Sequence, residues 1–157
     1  MFSHLNAAGE ANMVDVKHKA ASVRRAVASA RVRMTDAVLE HVLAGGVSKG
    51  DVLGVARIAG IQAAKRTSEL IPLCHPVSLT SIEVVFTANR ELGAIEVRAT
   101  AEAFDRTGVE MEALVAASNA ALTIYDMVKS ADRWVTIENL QLEEKSGGHS
   151  GTLIRPR

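Results

Sequence analysis

Between Arg24 and Met34 the chain alternates, with Val27, Ser29, Arg31 and Arg33 on one side and Ala28, Ala30, Val32 and Met34 on the other. This is the two-residue period of a half-buried strand. The short run Met13 to Val16, MVDV, alternates in the same way and predicts a further strand ahead of it. After Thr35 or Asp36, both capping residues, Val38, Leu39, Val42 and Leu43 recur at helical spacing until Gly45-Gly46 stops them. From Asp51 to about Leu70 the positions Val52, Val55, Ala56, Ala59 and Ala63 repeat with a period near 3.6, which predicts one long helix with a small-residue face, ended by Pro72. Ser78 to Phe104 is rich in Val, Ile and Thr and reads as two strands joined by a turn around Asn89 to Gly93. Glu110 to about Ser130 is helical again, with Leu114, Val115, Ala117, Ala121, Leu122, Tyr125 and Val128 forming a broad apolar stripe. Arg133 to Lys145 alternates as a last strand, and the end is rich in Gly and Ser.

From Arg24 onward the order is strand, short helix and helix, strand, strand, helix, strand. That is the split β-α-β pattern of an α+β, ferredoxin-like sandwich, here preceded by an extra N-terminal strand segment. The chain reads as a single domain, 1–157, with 1–12 and 146–157 as flexible ends. Both helices lie on one face of the sheet, while the strands place apolar residues on both sides, Ile82, Val84 and Phe86 against Val85. The open face therefore asks for cover, and a second subunit is the simplest cover, so a homo-oligomer is expected.

Composition narrows the class without changing this picture. The 157 residues are 48% hydrophobic and 23% charged, an ordinary globular mixture, and with only 3% aromatics the core must be aliphatic. Eighteen basic residues balance eighteen acidic ones, so no global field draws the chain to nucleic acid or an anionic membrane, and any polyanion must be held locally. A single cysteine excludes an internal disulfide, no window approaches the roughly 20 apolar residues of a membrane span, and the N-terminus lacks a basic segment followed by an apolar run. A cytoplasmic protein is expected.

The one cysteine stands in ELIPLCHPVSL, Glu69 to Leu79, between two prolines. Prolines hold Ile71 and His75 in extended backbone, and neighbouring side chains of an extended chain point to opposite sides. Cys74 and His75 are thus poorly placed as a thiolate-imidazole pair, and His4, His18, His41 and His149 supply no zinc spacing. A buried cysteine beside a solvent-facing histidine, or a rigid wall for a ligand, remain. Lys49 lies among glycines just before a helix, where backbone N–H groups and a lysine can hold phosphate, although the Walker order is absent and a plain turn explains it as well. Lys65-Arg66 complement a helix dipole without needing a ligand. Glu110, Met111 and Glu112 open the last helix, where acids are favoured. Asp126 is in its last turns, where they are not, with Lys129 on the same face; the two form either a surface ion pair or an acid/base pair tuned by partial burial. Glu112 and Asp126 share that helix but are fourteen residues, roughly 20 Å, apart, so they cannot both touch one reacting atom. Either they serve different copies of a site across a subunit boundary, or one is structural. Lys145 borders the glycine-rich end, which is a frayed tail or a mobile loop that closes over an anion.

Taken together, KGDV, ARIAGIQAAKRTSELIPLCHP, TGVEMEAL, AALTIYDM and KSGG resemble the cyclic pyranopterin monophosphate synthase family, the accessory protein C of molybdenum cofactor biosynthesis. The likeness runs from MVDV to KSGG. It implies a ferredoxin-like subunit, a homohexamer built as a trimer of dimers, and an active site at the dimer interface. It also implies a pyrophosphate-releasing lyase reaction: a cyclised 7,8-dihydro-GTP, supplied by an upstream radical SAM GTP cyclase as functional partner, is converted to cyclic pyranopterin monophosphate. By similarity Asp126 is the catalytic acid/base, with Lys49 and Lys129 beside it. Leu73, Cys74, His75, Glu110, Met111 and Glu112 belong to the substrate-binding wall, and Lys145, Arg24 and Lys19 to the basic residues around substrate. The chemistry agrees, because several phosphate charges demand clustered lysine and arginine, and cations placed at the departing pyrophosphate stabilise developing charge. Opening and re-closing rings on the guanine moves protons, which suits an Asp126/Lys129 pair with perturbed pKa values. No cofactor is implied; Mg can accompany the phosphates, but no dedicated ligand cluster asks for it. The family usually has KSGGKSG, and His149 stands at the second lysine position, so a loop closing on phosphate would bind less well once the imidazole loses its proton. Val128 stands where relatives often have cysteine. A nucleotide-binding module without chemistry, or a scaffold for the upstream enzyme, would share the fold.

Overall fold

The structure, a computed structural model, describes residues 5–156. Of the segments expected to be flexible, residues 1–4 and 157 lie outside that range, as does His4. Strand β1 (Ser22–Arg33) is followed by α1 (Asp36–Leu43), α2 (Val52–Ala64), the single turn α3 (Thr67–Leu70), β2 (Leu79–Asn89), β3 (Ala94–Asp105), α4 (Glu110–Val128), β4 (Thr136–Ser146) and β5 (Leu153–Ile154). The sheet is antiparallel in the order β2-β3-β1-β4-β5. Leaving aside β5, this is the ferredoxin-like order expected from the split β-α-β pattern.

Alternation along β1 works as the sequence predicts: Ala26, Ala28, Ala30 and Val32 face the core. From β3, Ile95, Val97, Ala99 and Ala101 join them. Against this floor α4 lays Ala113, Ala116, Ala117, Ala120 and Ala121, all fully buried. Side chains this small let backbones approach closely, and α2 answers with Gly60, whose Cα faces the Ala116 carbonyl and the Ala120 methyl. Asn119 of α4 donates to the Ala59 carbonyl across the same seam (3.0 Å).

Three expectations are corrected. Met13 to Val16 form no strand; a single bridge, Leu5 to Ala11, is the only β-pairing among the described residues before β1. Val14 of that stretch instead lines one cavity together with Leu73, Cys74 and His75. The long helix from Asp51 is interrupted at Lys65-Arg66, where Arg66 leaves helical geometry and the buried Thr67 hydroxyl donates to the Ala64 carbonyl freed at the end of α2 (2.9 Å). The open face of the sheet, expected to need apolar cover, is mostly a ladder of ion pairs. Arg25 reaches Glu144 (2.7 Å) and Glu102 (3.3 Å), and Arg31 reaches Glu96 (2.7 Å). Its exposed apolar corner is the cross-strand pair Val23 and Phe104. Val85 on the same face is also partly exposed, and further exposed apolar side chains include Val55, Ile58 and Leu122 on the helices, Leu140 and Ile154 on β4 and β5, and Trp134, which is 89% exposed.

The Gly/Ser-rich end is also more ordered than its composition suggests. Leu153 and Ile154 pair with β4 at Lys145 and Glu144, and Arg155 donates to the carbonyls of Glu143 (backbone N–H, 2.8 Å) and Leu142 (side chain, 2.7 Å). Among the described residues no helix is long and apolar enough to cross a membrane.

Candidate active site

Helix α4 divides the predicted site residues into two groups. At its N-terminal end two cavities adjoin, sharing Thr107, Gly108 and Glu110. The first, about 180 Å³, is lined by Lys19, Arg24, Arg25, Arg106, Lys145 and His149. The second, about 430 Å³, is lined by Val14, Leu73, Cys74, His75, Met111 and Glu112, with Ile71 and Val77. All the residues assigned from sequence to substrate binding line one cavity or both. Asp126, Lys49 and Lys129 gather separately at the far end of the helix.

Local structure explains each placement. The prolines at 72 and 76 keep the Leu73–His75 segment out of helix and strand, so it runs across the end of α4 as a wall. Cys74 is partly exposed there. Burial first, then the charges of Glu112 and Glu110, push its thiol above the usual range, which disfavours the thiolate. The structure gives the cysteine and histidine no mutual hydrogen bond among the described residues, so they serve as wall and not as a nucleophile-base pair.

Glu112 is 4% exposed, and burial, followed by repulsion from Glu110 and Asp105, raises its pKa above the ordinary glutamate value. It makes no ion pair among the described residues, so the apolar cavity has one buried carboxyl group as its polar anchor.

The cationic cavity is assembled from four separate parts of the chain. Arg24 on β1 donates to the carbonyls of Asp105 and Arg106 (both 3.2 Å), tying the strand to the loop before α4. Gly147 and Gly148, at φ +102° and +70°, bring the last loop onto Arg24: a Cβ at Gly148 would overlap the guanidinium. This is what carries His149 and Ser150 into the cavity. Lys145, the last lysine of β4, bonds Glu110 at 2.6 Å. Arg25, Arg106 and the 107–108 turn were not singled out from sequence; the signal that would have found Arg106 is its place in the turn directly before a helix N-terminus.

At the other end Asp126 accepts from Lys129 (2.7 Å) and from Lys49 (3.3 Å), whose ammonium also donates to the Asp126 carbonyl (2.7 Å). The carboxyl is 59% exposed, so partial burial does not tune it. Its pKa is lowered by the hydrogen bonds from Lys129 and Lys49, and that of Lys129 is raised by Asp126. The resting cluster is therefore a carboxylate held by two lysine side chains, and these contacts make Asp126 a weaker base and Lys129 a weaker acid than either would be alone. Among the described residues no three His, Cys, Asp and Glu side chains gather as metal ligands.

A ferredoxin-like α+β subunit with a cationic cavity opening beside a mostly apolar one defines the class. The profile of the MoaC family matches residues 13–148, and the chain belongs to that family. It is 52% identical over 154 residues to the cyclic pyranopterin monophosphate synthase of Pelobacter propionicus, covering 98% of this chain and 96% of that protein. It is 54% identical over 153 residues to the cyclic pyranopterin monophosphate synthase of Thermomicrobium roseum, covering 98% of this chain and 92% of that one.

Proposed function

We propose that this protein is a cyclic pyranopterin monophosphate synthase of molybdenum cofactor biosynthesis. It acts as a pyrophosphate-releasing lyase on a cyclised 7,8-dihydro-GTP supplied by an upstream radical SAM cyclase. The observation that carries the reading is the adjoining pair of cavities at the N-terminal end of α4. The triphosphate lies among Lys19, Arg24, Arg106 and Lys145, and the guanine-derived ring system enters the apolar cavity with Glu112 as polar anchor. Lysine and arginine there neutralise the ground-state charge, and their larger effect comes as a hydroxyl of the substrate attacks the α-phosphorus and the bond to pyrophosphate breaks.

Asp126, Lys49 and Lys129 supply the proton transfers of ring opening and closure. They sit too far from their own subunit's cavities to reach the same substrate, so the complete site takes them from a second copy. A homo-oligomer with the site at the dimer interface follows from this division. The apolar side chains exposed on the helices and at Trp134 give such a partner surface to cover. No cofactor is needed for the displacement, although Mg can accompany the phosphates. The protein works in the cytoplasm.

The test supplies purified protein with the cyclised dihydro-GTP freshly made by the upstream enzyme, and measures pyrophosphate and the oxidised pterin product together. Equal amounts of both are expected. A folded, oligomeric protein that releases neither would overturn the assignment in favour of a binding module.

A further inference from the structure

Among the described residues Glu110 is the single carboxylate lining the cationic cavity, and it is bonded to Lys145 at 2.6 Å. An acid in an anion site is a conflict unless it has a use. Both side chains of the pair are only 28% exposed, so the contact is shielded from solvent more than most surface pairs. Gly108 makes room for it: a Cβ there would overlap the Glu110 carboxylate. The other cations of the cavity are not held this way. Arg25 is turned to Glu144 and Glu102, and Arg24 to backbone carbonyls. Lys145 alone has its charge neutralised by a group that lines the cavity itself.

We propose that Glu110 is a built-in counter-ion, occupying Lys145 while the cavity is empty and yielding it to an anion that binds there. It thereby lowers the affinity of every anion that takes Lys145 and keeps the pyrophosphate product from being held too tightly. The proposal rests on the polyanion-binding reading above. An orthophosphate that takes Lys145 exchanges one charged partner for another and gains little. A diphosphate makes the same exchange but also reaches Arg24, Lys19 and Arg106, which need no exchange. The displaced carboxylate has a second place to rest, since the first turn of α4 has no side-chain cap and its free N–H groups favour a negative charge. When pyrophosphate departs, Glu110 recaptures Lys145, which speeds product release.

Calorimetric titration of inorganic pyrophosphate and of orthophosphate into the wild type, Glu110→Gln, Lys145→Ala and the double variant tests this. Glu110→Gln should tighten pyrophosphate about tenfold and orthophosphate by no more, because the exchange at Lys145 that both anions make no longer breaks a charge pair. In the Lys145→Ala background the gain should vanish, which a merely structural role for Glu110 would not produce. Glu110→Asp, which keeps the charge but shortens the reach, should show a smaller gain of the same kind. An unchanged pyrophosphate affinity, a gain that persists without Lys145, or no pyrophosphate binding by either the wild type or Glu110→Gln overturns the proposal. Turnover of the cyclised dihydro-GTP, measured on the same preparations, separates the two readings. Tighter pyrophosphate binding without turnover sinks only the synthase assignment, and turnover with an unchanged pyrophosphate affinity sinks only the counter-ion.

Discussion

Glu112 and Asp126 lie on one helix, α4, yet the first is buried in a cavity at its N-terminal end while the second is exposed at the other, about 21 Å away along the axis. If both serve one substrate they come from different subunits. Asp126→Ala and Lys145→Ala should each lower turnover about a hundredfold or more with the fold intact, because both side chains are at the surface or cavity wall. Co-expressed, the two variants should recover about a quarter of wild-type activity, since half of random dimers are mixed and each mixed dimer holds one intact site of two. A mixture as inactive as its components would place the whole site within one chain. The Asp126 carboxylate adds no acid limb at neutral pH: its pKa is lowered, so its pairing with Lys129 is present above the ordinary aspartate value and is lost only as pH falls through the lowered one.

Burial of Glu112 makes stability depend on pH in the opposite sense. Its folded pKa is raised above the unfolded value of about 4.3, so the folded state binds the proton more tightly and stability declines as pH rises from there through the folded pKa. Glu112→Gln removes that dependence. Thermal melts from pH 4 to pH 8 should show the variant gaining on the wild type as pH rises, by about 2–4 °C at the upper end. A difference that stays flat across the series would mean that Glu112 is charged and well solvated in the fold. The same variant should raise KM if the carboxyl anchors the ring system.

Cys74 should prove dispensable for chemistry. With its thiol pushed up by burial and by Glu112 and Glu110, it is protonated at neutral pH and has no base beside it. Cys74→Ala should keep kcat within about threefold, and alkylation should be slower than that of a free thiol. A loss of a hundredfold or more would restore the nucleophile.

The α2–α4 seam can be tested at Gly60. A Cβ there would stand 2.9 Å from the Ala116 carbonyl oxygen and 3.3 Å from the Ala120 methyl, and backbone cannot swing aside as a side chain can. Gly60→Ala should therefore destabilise by about 1–3 kcal/mol despite alanine's better helix propensity, as read from urea denaturation midpoints. A stabilised variant would show that the helices have slack at this point.

Much of this was legible in the chain itself. Two-residue alternation in β1 and β3 and the small-residue stripes of α2 and α4 mark most of the side chains that are covered, but Val55 and Leu122, read as part of those stripes, are exposed, because which edge of a stripe is covered depends on what packs opposite it. The Asp126–Lys129 contact was legible too, because three residues on a helix are neighbours by local geometry. The break at Lys65-Arg66 was not, since it depends on where the Thr67 hydroxyl finds a carbonyl. Met13 to Val16 alternates like a strand but pairs with no strand, and Val14 lines the cavity beside Cys74 instead. The ion-pair ladder on the open face was equally hidden, for arginines and glutamates from different strands meet only after the register is fixed.

The sequence by itself determined the elements, their order and the family resemblance, because hydrophobic period, caps and motif strings are local properties of a chain. Only the tertiary structure decided that Lys19, Arg24, Arg106 and Lys145 surround one cavity, that Glu110 neutralises one of them, and that Asp126 stands at the opposite end of the helix. Charge and distance between residues far apart in sequence exist only once the strands have paired and α4 has been laid across them.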